Sequence, residues 1–301
     1  MDQFSSHPLY RKHNLDSVMT SLLSFYKNKF VALFILSFIM SLGIQLLSLT
    51  FDLQGLMNIS SNPEDISLMF EKMKAMIWLM VAMSLLGLLG TTILHYYVIY
   101  SPVDSEATIF TSVYKSLKYF IPYLVILILF VFLGSIALVL GLFALIIGIF
   151  FVMLYLMTLY FFILPILMVE GPNIGNAISR TFKLTHRRFW PNMGWVAVFI
   201  IIVMIISLIL SGIVLLPFTG SFLKMLINPA EASKAMDFMT NPFYVVLSAL
   251  TNALYIPLVP IFAAILYFNG KAREEDILST TTGSDEPEKV KVEDLYAKPK
   301  D

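Results

Sequence analysis

Long uncharged segments dominate the pattern of hydrophobic and polar positions. From Tyr119 to Val169, 51 consecutive positions hold no Asp, Glu, Lys, Arg or His. A single helix of that length would measure about 75 Å, whereas the hydrocarbon core of a bilayer is about 30 Å thick. The run therefore predicts two membrane crossings joined by a turn between Gly141 and Gly148.

Four further uncharged segments of spanning length predict an all-α membrane protein with six transmembrane helices. The composition agrees, because 58% of the residues are hydrophobic and only 13% are charged, with a mean hydropathy of +0.82. The predicted spans are Phe30–Phe51, Ala75–Tyr100, Phe120–Leu140, Leu142–Met168, Pro191–Pro217 and Pro242–Phe268.

The distribution of basic residues predicts the orientation, because cytoplasmic loops collect Lys and Arg. With six crossings and both termini in the cytoplasm, the cytoplasmic segments hold 16 of the 20 basic residues. We therefore expect a multi-pass protein of the inner (plasma) membrane in three parts. These are a cytoplasmic N-terminal segment with an amphipathic helix (1–29), the transmembrane domain (30–268) and a disordered cytoplasmic tail (269–301).

A short amphipathic segment precedes each odd-numbered span. The three segments align with one another, and each begins beside a residue type that caps helices: Asn14 or Asp16, then Ser105, then Asn173. The chain is thus predicted to consist of three units, each an interfacial helix followed by a transmembrane hairpin.

The third amphipathic segment carries a basic stripe, formed by Arg180, Lys183 and Arg187 and followed by Arg188 and Trp190. Basic side chains near a cytoplasmic membrane surface attract anionic lipids. These five residues are the candidates for contact with lipid headgroups or with a protein partner. The alternative is an ordinary basic loop whose helix packs against the bundle.

Aromatic residues cluster at the predicted cytoplasmic ends of the spans, where they are typical of interfacial anchors. The predicted anchors are Tyr96, Tyr97, Tyr100, Trp190, Trp195, Tyr267 and Phe268.

Sequence signals for catalysis are missing. The chain has no cysteine, its four histidines show no metal-ligand spacing, and no nucleotide-binding or hydrolase motif occurs. His95 is the one titratable residue within a predicted span, and we interpret it as a packing residue. The sequence predicts no enzyme, no metal site, no cofactor and no nucleic-acid partner.

Two features of the spans allow a structural or a functional interpretation. Pro257 and Pro260, with Asn252 about a turn earlier, interrupt the sixth span, either as a kink or as a broken helix beside a cavity. A ridge of small residues from Gly134 to Gly148 favours tight packing of the central hairpin, with an oligomer contact as the alternative.

Two motifs carry a family resemblance. They resemble a bacterial six-helix family related to the membrane domain of glycerophosphoryl diester phosphodiesterases. The first motif consists of Val169-Glu170-Gly171-Pro172, Asn176–Leu184 and Arg188-Phe189-Trp190, and the second is the ending Ala264–Glu275. The resemblance implies an E-G motif and a basic amphipathic helix before the fifth span. It implies no catalysis, because phosphodiesterase activity in that family belongs to a separate soluble barrel.

Two functions are compatible with these observations. The first is a non-enzymatic inner-membrane protein that organises or partners other components at the cytoplasmic lipid interface, alone or as a homo-oligomer. The second is a transporter or permease-like subunit for an apolar or lipid-like substrate. The second function requires a cavity near Asn252 and Pro257, whereas a closely packed bundle there would argue against it.

Overall fold

The computed structural model describes residues 3–50, 63–143, 145–220, 223, 227, 238 and 240–283. Over these ranges the regular structure is entirely helical, and six helices are long and apolar enough to cross a membrane. This confirms the predicted all-α, six-span fold class. The helices are α1 (Leu15–Asn28), α2 (Phe30–Ser48), α3 (Pro63–Tyr100), α4 (Ile109–Leu142), α5 (Leu145–Val169), α6 (Ile174–Arg187), α7 (Phe189–Leu215), α8 (Pro242–Tyr255) and α9 (Leu258–Gly283), with 3-10 turns at Gln3–Ser6 and Leu216–Phe218.

The central uncharged run is a helical hairpin. Helix α4 ends at Leu142 and α5 begins at Leu145, so the turn falls inside the predicted interval. A Cβ atom on Gly141 would lie 3.2 Å from the Val152 side chain and 3.3 Å from the Gly148 backbone. Small residues therefore let the two arms approach closely, which supports the hairpin interpretation of the small-residue ridge.

The spans form a ring in chain order. Helix α2 contacts α3, α3 contacts α4, α4 contacts α5, α5 contacts α7, and α7 contacts α8, which returns to α2. Helix α9 leaves this ring and packs against α3 and α5 from inside. Of its first eleven residues, 258–268, all but the partly buried Val259 are buried. The sixth span thus supplies one helix of the ring and, after a break, a central plug.

The charged segments gather at one end of the ring, which we call the charged end. It contains residues 3–29, 101–119, 170–190 and 269–283 and is the end that the sequence predicts to face the cytoplasm. The plug lies in this half of the bundle, whereas the outer parts of α3, α4 and α7 towards the opposite end are largely exposed.

The amphipathic segments follow the prediction at two of three positions. Asn14 caps α1 and forms a capping box with Ser17, and Asn173 caps α6. The second segment begins at Thr108 instead of Ser105 and continues without interruption into the third span as α4. No glycine separates segment from span, and the proline between them, Pro122, is accommodated inside α4.

The N-terminal segment before α1 packs on the charged end through four buried side chains, those of Phe4, His7, Leu9 and His13. His7 lies 4.6 Å from the Phe268 ring, and its Nε2 atom is 3.2 Å from the Val98 carbonyl oxygen. Asn269 accepts a hydrogen bond from the His13 backbone N–H at 2.9 Å, and Arg273 donates to the His13 carbonyl at 2.6 Å. These contacts stabilise α9 beyond the predicted end of its span. Helix α9 therefore continues to Gly283, through residues that were predicted to belong to a disordered tail; positions 284–301 lie outside the described residues.

Most of the predicted aromatic anchors are inside the bundle instead of at its lipid surface. Tyr96, Tyr97, Trp195 and Tyr267 are all buried, while Trp190 remains 69% exposed. The N-terminal segment and α9 cover the ends of the spans at the charged end, so the buried aromatic side chains there contact protein.

Acidification is expected to destabilise the charged end through its buried histidines. Burial lowers the pKa of His7 from 6.5 to about 4 and also lowers the pKa of His13. At acidic pH the unfolded chain then binds protons more readily than the folded protein does. The contribution of these histidines to the free energy of unfolding is fully present above about pH 6.5 and is lost as the pH falls towards 4, by about 3 kcal/mol for His7. Thermal unfolding in detergent at a series of pH values measures this loss.

Two variants isolate the histidine contribution. His7→Gln should flatten the pH dependence between pH 6.5 and 4, whereas His186→Gln, at an exposed position, should leave it unchanged. Equal slopes in all three proteins would show that other groups cause the acid sensitivity.

Candidate ligand cavity and the ion-pair cluster below it

The ring surrounds a partly open cavity of about 1450 Å³. All six spans contribute to its wall, with Leu124 to Ser135 on α4 and Phe199 to Ser207 on α7 marking its extent along two of them. These positions lie beyond the plug, in the half of the bundle away from the charged end. The cavity therefore exists because α9 fills only one half of the ring.

The cavity wall is almost wholly apolar, and its few hydroxyl groups mostly bond within their own helices. Ser84 donates to the Met80 carbonyl at 2.8 Å and Thr91 to the Gly87 carbonyl at 3.0 Å. Ser37 differs, because its buried hydroxyl has no hydrogen-bond partner among the described residues. Ser37 has no exposed surface, so the wall offers a ligand mainly apolar contact.

The cavity wall reaches the lipid-facing surface along α4. Ile128, Val131 and Phe132 line the cavity and are also 61%, 67% and 64% exposed. Residues that face both a cavity and the exterior are expected where a wall is open to its surroundings. In a bilayer those surroundings are acyl chains.

Aromatic rings close the cavity towards the charged end. Phe161 and Phe199 line it, and Phe262 of the plug stacks on Phe199 with ring centroids 4.0 Å apart and planes 1° apart. Phe161 meets the edge of Phe262 at 5.3 Å. Nearby, the buried Tyr123 hydroxyl donates to the hydroxyl of Tyr160, which also lines the cavity.

The predicted break in the sixth span lies beside this cavity. Helix α8 ends at Tyr255 and α9 begins at Leu258, so Pro257 occupies the break, and Pro260 lines the cavity. Asn252 accepts a hydrogen bond from the Tyr255 hydroxyl at 2.9 Å, and Tyr255 also lines the cavity. The two prolines redirect the chain from the ring into its centre.

An ion-pair cluster lies at the charged end, where Arg180 binds two carboxylates. Its guanidinium donates to Glu170 at 2.8 and 3.0 Å and to Glu274 at 2.8 and 3.2 Å. The three side chains are only 13–18% exposed. The two carboxylates raise the pKa of Arg180, so its charge is permanent.

Further groups complete the ion-pair cluster. Lys183 and Arg187 reach the same Glu274 oxygen at 3.1 and 3.2 Å, and the Tyr267 hydroxyl donates to Glu170 at 3.1 Å. The cluster therefore joins α6 to the end of α5 and to α9. Its carboxylates are occupied by these cations, which is typical of a structural clamp.

The candidate headgroup residues thus fall into different environments. Arg180 is turned into the bundle and Arg187 is ion-paired, whereas Lys183 and Trp190 are 61% and 69% exposed. Arg188 has one buried guanidinium nitrogen without a partner among the described residues. Headgroup contact stays a prediction. Lys183 and Trp190 are exposed enough to make it, and Arg188 has a guanidinium nitrogen that the described residues leave free to donate.

Sequence reasoning missed the acidic half of the ion-pair cluster. Glu170 and Glu274 stand in the two motifs that carry the family resemblance, but 104 positions separate them and nothing in the spacing predicts their meeting. The available signal was that both carboxylates lie just outside apolar spans. No group of three potential metal ligands occurs in the part of the chain described.

Comparison of the chain with family models, with curated proteins and with solved structures found no match. The resemblance to the phosphodiesterase membrane domain therefore stays a prediction.

Proposed function

We propose that this integral membrane protein binds an apolar, lipid-like molecule in the cavity surrounded by its ring of spans. One observation carries the proposal: a cavity of about 1450 Å³ with an almost wholly apolar wall, closed by the α9 plug at one end. Its volume exceeds the roughly 300–1,000 Å³ of most small-molecule sites. A bilayer lipid or another amphiphile with an acyl chain suits both the size and the chemistry.

The membrane setting favours occupation by acyl chains. Water gains little from an apolar cavity, because it needs two to four polar partners. Lipid acyl chains surround the protein wherever the cavity wall meets the bilayer, and they gain van der Waals contacts when they enter the cavity.

Of the two functions compatible with the sequence, the cavity supports the transporter or permease-like subunit for a lipid-like substrate. The ring is filled in one half and hollow in the other, which suits a substrate admitted from one side of a bilayer. The role requires no buried charge and no catalytic group, and we propose it for the inner membrane of a bacterium.

The other function, that of organising components at the membrane interface, is supported by exposed aromatic side chains at the charged end. Phe110 and Tyr114 at the start of α4 are 86% and 79% exposed, and Trp190 at the start of α7 is 69% exposed. Exposed aromatic rings at this level are typical of contact with headgroups or with a partner protein. Binding in the cavity and docking at this surface are compatible with each other.

Filling the cavity tests the proposal. Gly87 on α3 lines the cavity, and a Cβ there would meet only the Ile44 side chain, at an ordinary 3.8 Å. We expect Gly87→Phe to weaken lipid retention about tenfold. The new ring displaces about ten atom–atom contacts between lipid and wall, each worth 0.1–0.2 kcal/mol, and a tenfold change in affinity corresponds to about 1.4 kcal/mol. Native mass spectrometry after gentle extraction measures the retained lipid.

Gly212 on α7 provides the matched control, since a Cβ there meets nothing within 4 Å and the residue does not line the cavity. Gly212→Phe should retain lipid as the unmodified protein does. Equal retention by both variants would contradict the proposal. Movement of a fluorescent lipid between leaflets of reconstituted vesicles, reduced by Gly87→Phe alone, would distinguish transport from binding.

A further inference from the structure

A second, smaller cavity lies at the charged end, between α6, α7 and α9. It has a volume of about 270 Å³, and three arginines line it: Arg187, Arg188 and Arg273. Asn192 and Asn269 add amide groups, and Asp276 is the one carboxylate in its wall. We call it the arginine pocket. It shares no residue with the apolar cavity in the ring.

Arg188 is the least satisfied of the three arginines. It stands at the junction of α6 and α7, and its Nη1 atom is buried without a hydrogen-bond partner in the described part of the chain. A buried charged donor that lacks an acceptor costs free energy. The end of α6 does not supply that acceptor, because Asn192 already donates to the carbonyls of Leu184 and Thr185.

The other two arginines have partners but remain close to Arg188. Arg273 donates to Asn269 at 2.9 Å and to the His13 carbonyl at 2.6 Å, and its charge is repelled by that of Arg188. Arg187 pairs with Glu274 at 3.2 Å. The one carboxylate in the wall, Asp276, is paired with Lys12 and also attracts Arg273. Three arginines line the arginine pocket against this single carboxylate, so it carries an excess of positive charge.

We propose that the arginine pocket binds a phosphate group, with Arg188 as the main ligand and Arg273 and Arg187 as further cationic contacts. The planar guanidinium fork matches phosphate oxygens in pairs, and such charge-assisted hydrogen bonds are about twice as strong as neutral ones. The volume admits a phosphate with a small substituent. The position at the charged end, at the level of the predicted cytoplasmic interface, is compatible with a free phosphate anion and with the phosphate of a lipid headgroup.

Binding measurements on the full chain in nanodiscs distinguish these two sources. In phosphatidylcholine nanodiscs, inorganic phosphate is titrated by calorimetry. In a second arm, nanodiscs with and without phosphatidic acid are compared by the lipid that native mass spectrometry finds on the protein. Saturable binding of inorganic phosphate indicates a free anion site, and retention of phosphatidic acid alone indicates a headgroup site.

Variants tie either result to the arginine pocket. We expect Arg188→Gln to weaken binding at least about tenfold, because it removes charged hydrogen bonds that are each worth such a factor. Lys27→Gln removes one positive charge from an exposed position at the same end and should change binding less than about twofold. Arg188→Lys keeps the positive charge but loses the planar guanidinium, so its affinity for phosphate should lie between those of Arg188→Gln and Lys27→Gln.

Thermal unfolding verifies that each variant is folded, and Arg188→Lys replaces Arg188→Gln if the latter fails this check. The proposal is overturned if neither phosphate source binds, or if the Arg188 variant behaves as Lys27→Gln does. Because no substitution touches the ring cavity, a failure here leaves the proposed binding of a lipid-like molecule unaffected.

Discussion

Replacing Glu274 with Gln is expected to cause a large loss of stability. Glu274 accepts from Arg180, Lys183 and Arg187, and its side chain is only 13% exposed. Removing one partner of a fully buried pair costs about 3–5 kcal/mol, because the other charge stays behind in a poor solvent. Since this cluster is partly hydrated, we expect about 2–3 kcal/mol for Glu274→Gln.

The neighbouring residue supplies the control. Glu275 is exposed, so Glu275→Gln changes the same chemical group one position later and should change stability by less than about 0.5 kcal/mol. Equilibrium unfolding in mixed micelles measures both variants. A loss for Glu274→Gln no greater than that for Glu275→Gln would contradict the role of the ion-pair cluster as a clamp.

A double-mutant cycle tests whether Arg180 and Glu274 act together. Arg180→Gln alone leaves Glu170 and Glu274 without their shared cation, so it should also destabilise the protein. The combined variant should lose less stability than the sum of the two single losses, because their interaction is removed only once. Additive losses would show that the two side chains stabilise the fold independently.

Replacing Phe262 with Ala is expected to have a comparably large effect, because it removes the plug's aromatic ring that closes the cavity towards the charged end. Phe262 is fully buried, stacked on Phe199 and in edge contact with Phe161. Phe→Ala in water-soluble cores costs about 3–5 kcal/mol. Lipid tails are as apolar as this core, so mainly packing is lost, and we expect about 2–3 kcal/mol.

The same substitution should also change the ligand site. Loss of the ring extends the cavity towards the charged end, so Phe262→Ala should alter which lipids are retained, as detected by native mass spectrometry. Phe110→Ala is the matched control, because Phe110 is 86% exposed at the start of α4. Unchanged stability and lipid profile in Phe262→Ala would contradict the assignment of this residue to the cavity floor.

Sequence alone predicted the number and approximate limits of the spans, because an uncharged segment of about 20 residues has few stable environments other than a bilayer. It also predicted the turn of the central hairpin, since one helix of 51 residues is too long for the membrane. Asn14 and Asn173 were identifiable as helix caps because capping is a local interaction.

The candidate site was only partly predictable. An interruption at Pro257, as a kink or as a break, was evident, because a proline inside a helix removes a backbone hydrogen bond. Whether the helices around it packed closely or surrounded a cavity depended on the side chains of six spans, which no local pattern connects. The basic stripe was visible in the sequence, but its acidic partners Glu170 and Glu274 come from two other helix ends.

The membrane environment of each segment can thus be read from local sequence: which residues cross the bilayer, where the chain turns, and at which end the charges collect. These properties depend on the solvent that each stretch of chain requires. The ring of spans, the filling of half of it by α9, and the pairing of Arg180 with Glu170 and Glu274 instead of headgroups become visible only in the packed molecule. Such contacts join residues far apart in the chain, and their energies exist only once the helices are packed together.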